Sequence, residues 1–332
     1  MWTLPVMAVV TPLVWTCRGA LTTDGRWLRL AAVAVTAWLL AELNSRFALL
    51  RVRSRMVSAS FLIFAAAMPW LFDEMGLQVV ATVAVAASWW PLFGAYDCRE
   101  SAGHAFRAAL CVSLGSLFFS PLLLLLPVVG FCLMAPLRAA GWRVVAAVVM
   151  GALLPYVYLG LYVVWVDGRI DAIGMLLSEA FDFSPLNLSD LSAESVATSA
   201  ALALLALAAT FHYIATAFND KIRVRMFFYV IITFEVATVA LLLLMPRGQK
   251  VWTMLLALEA APLVAHHLTL SRGRWGTVWF WASIGVLAVP GVIKLLELLW
   301  ATLPRGSPKQ DRRECLCLPS WQAVCSRSVR RW

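Results

Sequence analysis

The sequence predicts an all-α fold, a polytopic bundle of about nine to eleven transmembrane helices that ends in a basic tail. Three observations support this prediction. Hydrophobic residues make up 62% of the 332 residues and charged residues only 14%, whereas soluble domains average about a quarter charged residues. Apolar runs long enough to cross a bilayer recur along most of the chain. Disorder is excluded over those runs, because disordered chains combine low hydrophobicity with high charge.

The candidate spans follow from the length of each apolar run. A helix needs about 20 apolar residues to cross a hydrocarbon core of about 30 Å, and short spans need somewhat fewer. Pro5 and Pro12 interrupt the first run, which either crosses the membrane or lies in its interface. The sequence contains eleven such runs, at 2–17, 28–43, 57–72, 77–94, 104–119, 121–136, 143–166, 194–216, 226–245, 251–268 and 276–299.

Residues 104–136 are predicted to form a helical hairpin rather than one helix. A single helix over these 33 residues would be about 50 Å long, which exceeds one crossing. Pro121 lies near the midpoint, and proline disfavours continuation of a helix from the preceding turn.

Two classes of side chain indicate how the spans are placed. Small residues let transmembrane helices approach closely, so we expect tight packing at the pairs Ala84/Ser88 and Cys111/Gly115. Tryptophan is enriched where helices meet the headgroups. Ten tryptophans lie near predicted helix ends and are expected to form such belts: Trp15, Trp27, Trp70, Trp89, Trp90, Trp142, Trp165, Trp252, Trp275 and Trp300.

The distribution of Lys and Arg predicts the orientation of the bundle, because short cytoplasmic loops carry an excess of both. One alternating set of loops contains 13 of these residues and the opposite set contains six. The richer set is predicted to be cytoplasmic and comprises loops 44–56, 95–107, 137–143, 217–225 and 269–275.

The chain divides into a predicted transmembrane domain, residues 1–300, and a tail, residues 301–332. The tail contains three of the seven cysteines and several arginines without apolar periodicity, so we expect it to be disordered. With eleven spans the tail would lie outside, against the positive-inside rule, and its side of the membrane stays open.

Two carboxylates inside predicted spans are the main candidates for chemistry, because ionisable groups in the bilayer are costly. Glu235 and Glu259 each lie about nine residues from the predicted cytoplasmic end of neighbouring spans, so they occupy the same depth. The pair is predicted to share a proton or to bind a cation. His266 follows Glu259 by seven residues, which places both on one helix face. The alternative is a structural pair held by neighbouring hydroxyl groups, with His266 at the interface.

Two further groups of charged residues have weaker predicted roles. Lys294 and Glu297 are three residues apart in the last span and are expected to pair near the outer face. Loop 44–56 contains Arg46, Arg51, Arg53 and Arg55. These arginines are predicted to contact anionic lipid, or alternatively only to set the topology.

Neither a metal site nor another cofactor is predicted. Cys315 and Cys317 have a CxC spacing, but no second pair or nearby histidine supports a metal site. No HExxH spacing occurs either. The expected partner is the lipid bilayer rather than nucleic acid, because the apolar content outweighs the net charge of +9.

Three classes of function remain open on the sequence alone, and no reaction is assigned. A transport or cell-envelope component would use Glu235 and Glu259 as coupling groups. A membrane-embedded transferase acting on lipid-linked sugar or acyl groups would need outer acidic residues, for which the chain offers Asp24, Asp73, Glu74 and the acidic loop 167–193. The third class is a non-catalytic membrane scaffold.

The stretch from Asn44 to Trp165 resembles a known family. A basic loop containing asparagine precedes an apolar helix pair, then GSLFFSP at 115–121 and GALLPY at 151–156. This order is similar to that of an uncharacterised family of multi-pass bacterial inner-membrane proteins, classed as a domain of unknown function. The resemblance implies a bacterial inner membrane, and no catalytic residue is carried over, because the shared motifs are a turn and a proline kink.

Overall fold

Helices account for almost all of the chain that the structure describes. The computed structural model describes residues 3–17, 26–51, 54–68, 76–98, 101–166, 174, 178, 180–181, 193–245 and 248–270, and these residues include no strand. The predicted all-α class is therefore confirmed. The predicted span at 276–299, the pair Lys294 and Glu297, and the tail from 301 lie outside the described residues.

The described residues form ten α-helices in chain order. They are α1 (Thr3–Cys17), α2 (Arg26–Phe47), α3 (Met56–Ala67), α4 (Val80–Gly94), α5 (Ser101–Ser116), α6 (Leu126–Met134), α7 (Trp142–Val166), α8 (Ala193–Thr216), α9 (Ile222–Leu244) and α10 (Gln249–Leu270). Short 3₁₀ segments lead into α4 and α6 and follow α8, at Leu77–Val79, Ser120–Leu125 and Ala217–Asn219.

Six helical segments within the described residues are long and apolar enough to cross a membrane. They are Trp27–Phe47, Leu77–Gly94, Trp142–Trp165, Ser195–Thr216, Ile222–Leu244 and Gln249–Thr269. Two shorter apolar segments, Met56–Ala67 and Ser120–Met134, accompany them. The protein is therefore a multi-pass membrane protein, and the predicted total of nine to eleven spans stays a prediction.

Helix α10 lies at the centre of the bundle. In the most apolar stretch of α10, 94% of the residues are buried, whereas in that of α7 only 17% are buried. The helix contacts α3, α4, α8 and α9. A helix that is apolar on all sides is expected in such a central position, and here it brings its polar side chains into the protein interior.

Side-chain contacts give the direction of the helices around α10. Ser199 meets Thr253 and His212 meets His267, a nearly constant offset in number that shows α8 and α10 to be parallel. Helix α9 runs antiparallel to α10, since Thr238 meets Glu259 while Phe228 meets His266. A short connection between two neighbouring spans requires this antiparallel arrangement.

The predicted break within 104–136 is also present. Helix α5 ends at Ser116, and the 3₁₀ segment that follows leads into α6. Contacts of Ser113 with Ala152 and of Ser116 with Tyr156 show that α5 and α7 run parallel. Because α5 and α7 point the same way, the chain that joins them must run in the opposite direction, as the predicted hairpin requires.

Close helix packing occurs between the two predicted small-residue pairs, where Gly115 of one pair meets Ala84 of the other. A Cβ atom added to Gly115 would lie 2.6 Å from the Cβ of Ala84, so the missing side chain lets α4 and α5 approach. The tryptophan prediction is wrong at two positions. Trp89 and Trp252 are fully buried, while Trp27, Trp142 and Trp165 are exposed as headgroup anchors would be. Helix contacts, not distance from a helix end, decide that difference.

Candidate functional site

Glu235 on α9 and Glu259 on α10 lie inside the bundle, with exposed fractions of 1% and 0%. Each carboxylate accepts one hydrogen bond from a threonine of a neighbouring helix. Thr210 of α8 donates to Glu235 Oε2 at 2.7 Å, and Thr238 of α9 donates to Glu259 Oε1 at 2.8 Å. Glu235 precedes Thr238 by three residues on α9, about one helical turn, and Thr238 contacts Glu259, so the two carboxyl groups are neighbours. Three helices therefore hold the pair in one polar layer.

The second oxygen of each carboxylate has no hydrogen-bond partner among the described residues. Glu235 Oε1 and Glu259 Oε2 are buried without a hydrogen-bond partner in the described part of the chain. No Lys or Arg among the described residues forms a salt bridge with either glutamate. Because two like charges in an apolar interior repel strongly, this layer has the chemistry to hold a proton or a cation.

A second polar layer lies at the start of α10. Gln249 Nε2 donates to Ser199 Oγ at 3.0 Å, and Ser199 Oγ lies 2.8 Å from Thr253 Oγ1. Ser195 Oγ completes the layer by donating to Gln249 Oε1 at 3.4 Å. These groups are uncharged, so the layer joins α8 to α10 without an ionisable side chain.

A third layer contains His266 near the end of α10. Asp220 belongs to the connection between α8 and α9, and its Oδ2 atom lies 2.9 Å from His266 Nε2. Its Oδ1 accepts a hydrogen bond of 2.8 Å from Arg51 Nε. The side chains of both Asp220 and His266 are about 4% exposed, so neighbouring helices cover this layer near the end of α10.

Aromatic rings and two further histidines surround this layer. The imidazole of His266 contacts the rings of Tyr213 and Phe228, at centroid distances of 4.9 and 5.1 Å. Its Nδ1 is buried without a hydrogen-bond partner in the described residues. The rings of His212 and His267 lie 3.9 Å apart beside it. The layer therefore concentrates three imidazoles and one carboxylate at one end of α10.

The three layers follow one another along α10. Glu259 lies ten residues after Gln249, and His266 lies seven residues after Glu259. At 1.5 Å per residue these separations are about 15 Å and about 10 Å along the axis. Polar and ionisable groups thus occur at intervals through most of the central helix.

Asp220 and Thr210 are the site residues that the sequence interpretation missed. Asp220 is the acidic residue of loop 217–225, whose other charged residues are Lys221, Arg223 and Arg225. An acidic residue beside three basic residues, close to the end of a span, is the sequence feature that could have identified Asp220 as a site residue. No comparable feature identifies Thr210, because a threonine in a span commonly forms a hydrogen bond to the backbone of its own helix.

Removing the Asp220 carboxylate is expected to destabilise the end of α10. Asp220→Ala should lower the free energy of unfolding by about 1–2 kcal/mol, since it deletes two charge-assisted contacts, one of them to the half-exposed Arg51. Asp220→Asn, which keeps the shape and one acceptor, should cost less. Unfolding of the purified protein in mixed micelles measures both, and equal losses would contradict the assignment of these contacts.

The arginines of loop 44–56 have different surroundings. Arg46 stacks over the Trp90 ring at 4.8 Å, while Arg51 binds Asp220. Arg55 is exposed at the start of α3, and Arg53 lies outside the described residues. Asp24 and most of 167–193, on which the transferase hypothesis depends, also lie outside.

Neither a metal cluster nor a relative identifies the site. The described residues contain no group of three His, Cys, Asp or Glu side chains that could hold a metal ion. Comparison of the chain with protein-family models, curated proteins and solved structures gives no match. The resemblance to a bacterial inner-membrane family therefore stays a prediction.

Proposed function

We propose that this multi-pass membrane protein is a transport component whose coupling site is the Glu235–Glu259 pair. The observation that carries the proposal is the burial of two neighbouring carboxyl groups, each with one oxygen that has no hydrogen-bond partner among the described residues. Ionisable residues within a bundle interior are costly and typically mark ion or proton pathways. A purely structural pair would be expected to have both oxygens of each carboxylate satisfied.

The pair holds one proton, or one monovalent cation in its place. Two ionised carboxylates at this depth would repel, so the layer is stable only when a positive charge is added. The threonine donors Thr210 and Thr238 leave one oxygen of each glutamate for that charge. Binding and release at this layer then change the electrostatic balance between α9 and α10.

His266 and Asp220 provide the exchange point toward one membrane surface. Their layer lies about 10 Å along α10 from Glu259, which is too far for one hydrogen bond. A proton that passes between the layers therefore needs at least one intermediate carrier, as in other chains of carboxylates and histidines in membranes. The positive-inside rule predicts that this end of α10 is cytoplasmic.

Reconstitution into liposomes with a trapped pH indicator tests the proposal. A pH jump, or a pulse of sodium or potassium, should produce proton movement in the wild type. Glu259→Gln should reduce the rate at least about tenfold, equivalent to about 1.4 kcal/mol. The double variant Glu235→Gln/Glu259→Gln should be no worse than either single variant, because residues that share one proton act as a unit.

The matched control is Asp97→Asn, which makes the same carboxyl-to-amide change at an exposed position. Its proton flux should equal that of the wild type. Infrared difference spectra recorded across a pH titration give a second readout, since a protonated buried carboxyl has its own band. Flux that is unchanged in Glu259→Gln, together with a carboxyl band that never changes with pH, would rule out the coupling role.

A further inference from the structure

A large groove lies between the first three helices, outside the glutamate layer. We call it the α1–α3 groove, and its apolar walls include Ala8 of α1, Val33 and Ala37 of α2, and Leu62 of α3. It encloses about 1430 Å³, which exceeds the roughly 300–1,000 Å³ of usual small-molecule pockets. Since α2 is one of the candidate membrane spans, the groove extends into the hydrocarbon region.

One end of the groove is polar and positively charged. Among the described residues, Arg51 and Arg55 line it, together with Asn44 and one carboxylate, Glu42. Arg46, one turn further along α2, is stacked on Trp90 instead. The groove therefore combines a long apolar surface with two guanidinium groups at one end.

The position of Arg51 is set by two neighbouring contacts. Asn44 fixes the loop, because its side chain donates to the Ser54 carbonyl at 2.7 Å and accepts from the Leu50 amide at 3.2 Å. Asp220 holds only Nε of Arg51. Among the described residues no other hydrogen bond to the guanidinium group occurs, so its two terminal nitrogens are available for a ligand at the groove end, where the side chain is 46% exposed.

We propose that the α1–α3 groove binds one anionic phospholipid, with an acyl chain along the apolar walls and the phosphate at Arg51 and Arg55. Guanidinium groups recognise phosphate through paired hydrogen bonds, and the predicted cytoplasmic side of this loop faces the leaflet that carries anionic lipids. The two described guanidinium groups outnumber the one described carboxylate, Glu42, so this end of the groove favours an anionic occupant. The proposal does not depend on the proton or cation site.

Titration of the full-length protein with phosphatidylglycerol and phosphatidylcholine tests this proposal, with thermal melting and native mass spectrometry as readouts. One phosphatidylglycerol should bind more tightly than phosphatidylcholine, and Arg55→Gln should weaken its binding about fivefold. Arg55 is preferred over Arg51 because its replacement leaves the Asp220 contact intact. Ala41→Phe, which fills the groove, should weaken binding of both lipids.

Two matched variants separate the groove from the general surface. Arg138→Gln removes an exposed arginine elsewhere, and Ala240→Phe enlarges an exposed alanine on α9, so neither should change lipid affinity. Inorganic phosphate alone should produce no shift in melting. Lipid binding that is unaffected by Ala41→Phe, or a dimer mass that Ala41→Phe converts to the monomer mass, would overturn the proposal.

Discussion

Phe227→Ala is expected to lower the free energy of unfolding by about 3 kcal/mol, the largest effect of a single substitution proposed for this bundle. The Phe227 ring is fully buried and packs against Phe93, Phe47 and Tyr96 at centroid distances of 4.6, 5.5 and 5.9 Å. Each aromatic pair is worth about 1 kcal/mol beyond its buried area. The cluster joins α9 to α2 and α4, so its loss loosens three helices together.

The reference state in a bilayer explains why the expected loss is not larger. Lipid tails are as apolar as the protein interior, so transfer out of water contributes little between transmembrane helices. The cost arises from lost packing and from the cavity that alanine leaves. Phe211→Ala is the matched control, because that ring on α8 is 72% exposed. Unfolding in mixed micelles measures both variants, and similar losses would show that the cluster does not hold the helices together.

Gly151→Ala is expected to destabilise the α5–α7 pair by about 2–3 kcal/mol, near the upper range of overpacking in a core. An added Cβ would lie 2.5 Å from the backbone oxygen of Phe106 and 3.1 Å from the Cβ of Ala109. Backbone cannot rotate away as a side chain does, so α7 must shift. That shift would strain the 2.6 Å hydrogen bond from Ser113 Oγ to the Ala152 carbonyl.

Gly130→Ala makes the same chemical change as Gly151→Ala, but it is expected to stabilise the protein. Nothing lies within 4 Å of a Cβ added at this position in α6. Alanine should therefore raise the stability by up to about 1 kcal/mol through its higher helix propensity. Thermal melting of both variants checks the pair of predictions. A stabilising Gly151→Ala would mean that α5 and α7 are further apart than the structure shows.

The glutamate layer could be located from the sequence because depth in a membrane follows from counting residues. Glu235 and Glu259 interrupt two apolar runs at matching distances from their ends, and a short connection makes those runs antiparallel neighbours. The rise per residue of a helix then places both carboxyl groups at one level. Which way each side chain points about its helix axis was beyond this reasoning, and the structure turns both inward.

The Asp220–His266 layer was beyond sequence reasoning for a different reason. Asp220 and His266 are 46 residues apart, and Arg51 lies 169 residues from Asp220. No local periodicity connects such positions, since the contact depends on how the α8–α9 connection folds over the end of α10. The same applies to Trp89 and Trp252, which lie near helix ends yet are covered by neighbouring helices.

The sequence by itself determined that this chain is an all-α multi-pass membrane protein, because length and apolar composition decide which segments suit a bilayer. It also predicted that the two glutamates lie at one level of the bundle, through the regular rise of a helix. The tertiary structure alone decided which helix lies at the centre, which groups meet there and which groove stays open. Helix rotation and pairing in lipid depend on close packing of small residues and on polar contacts between helices. Those interactions join residues that are distant along the chain.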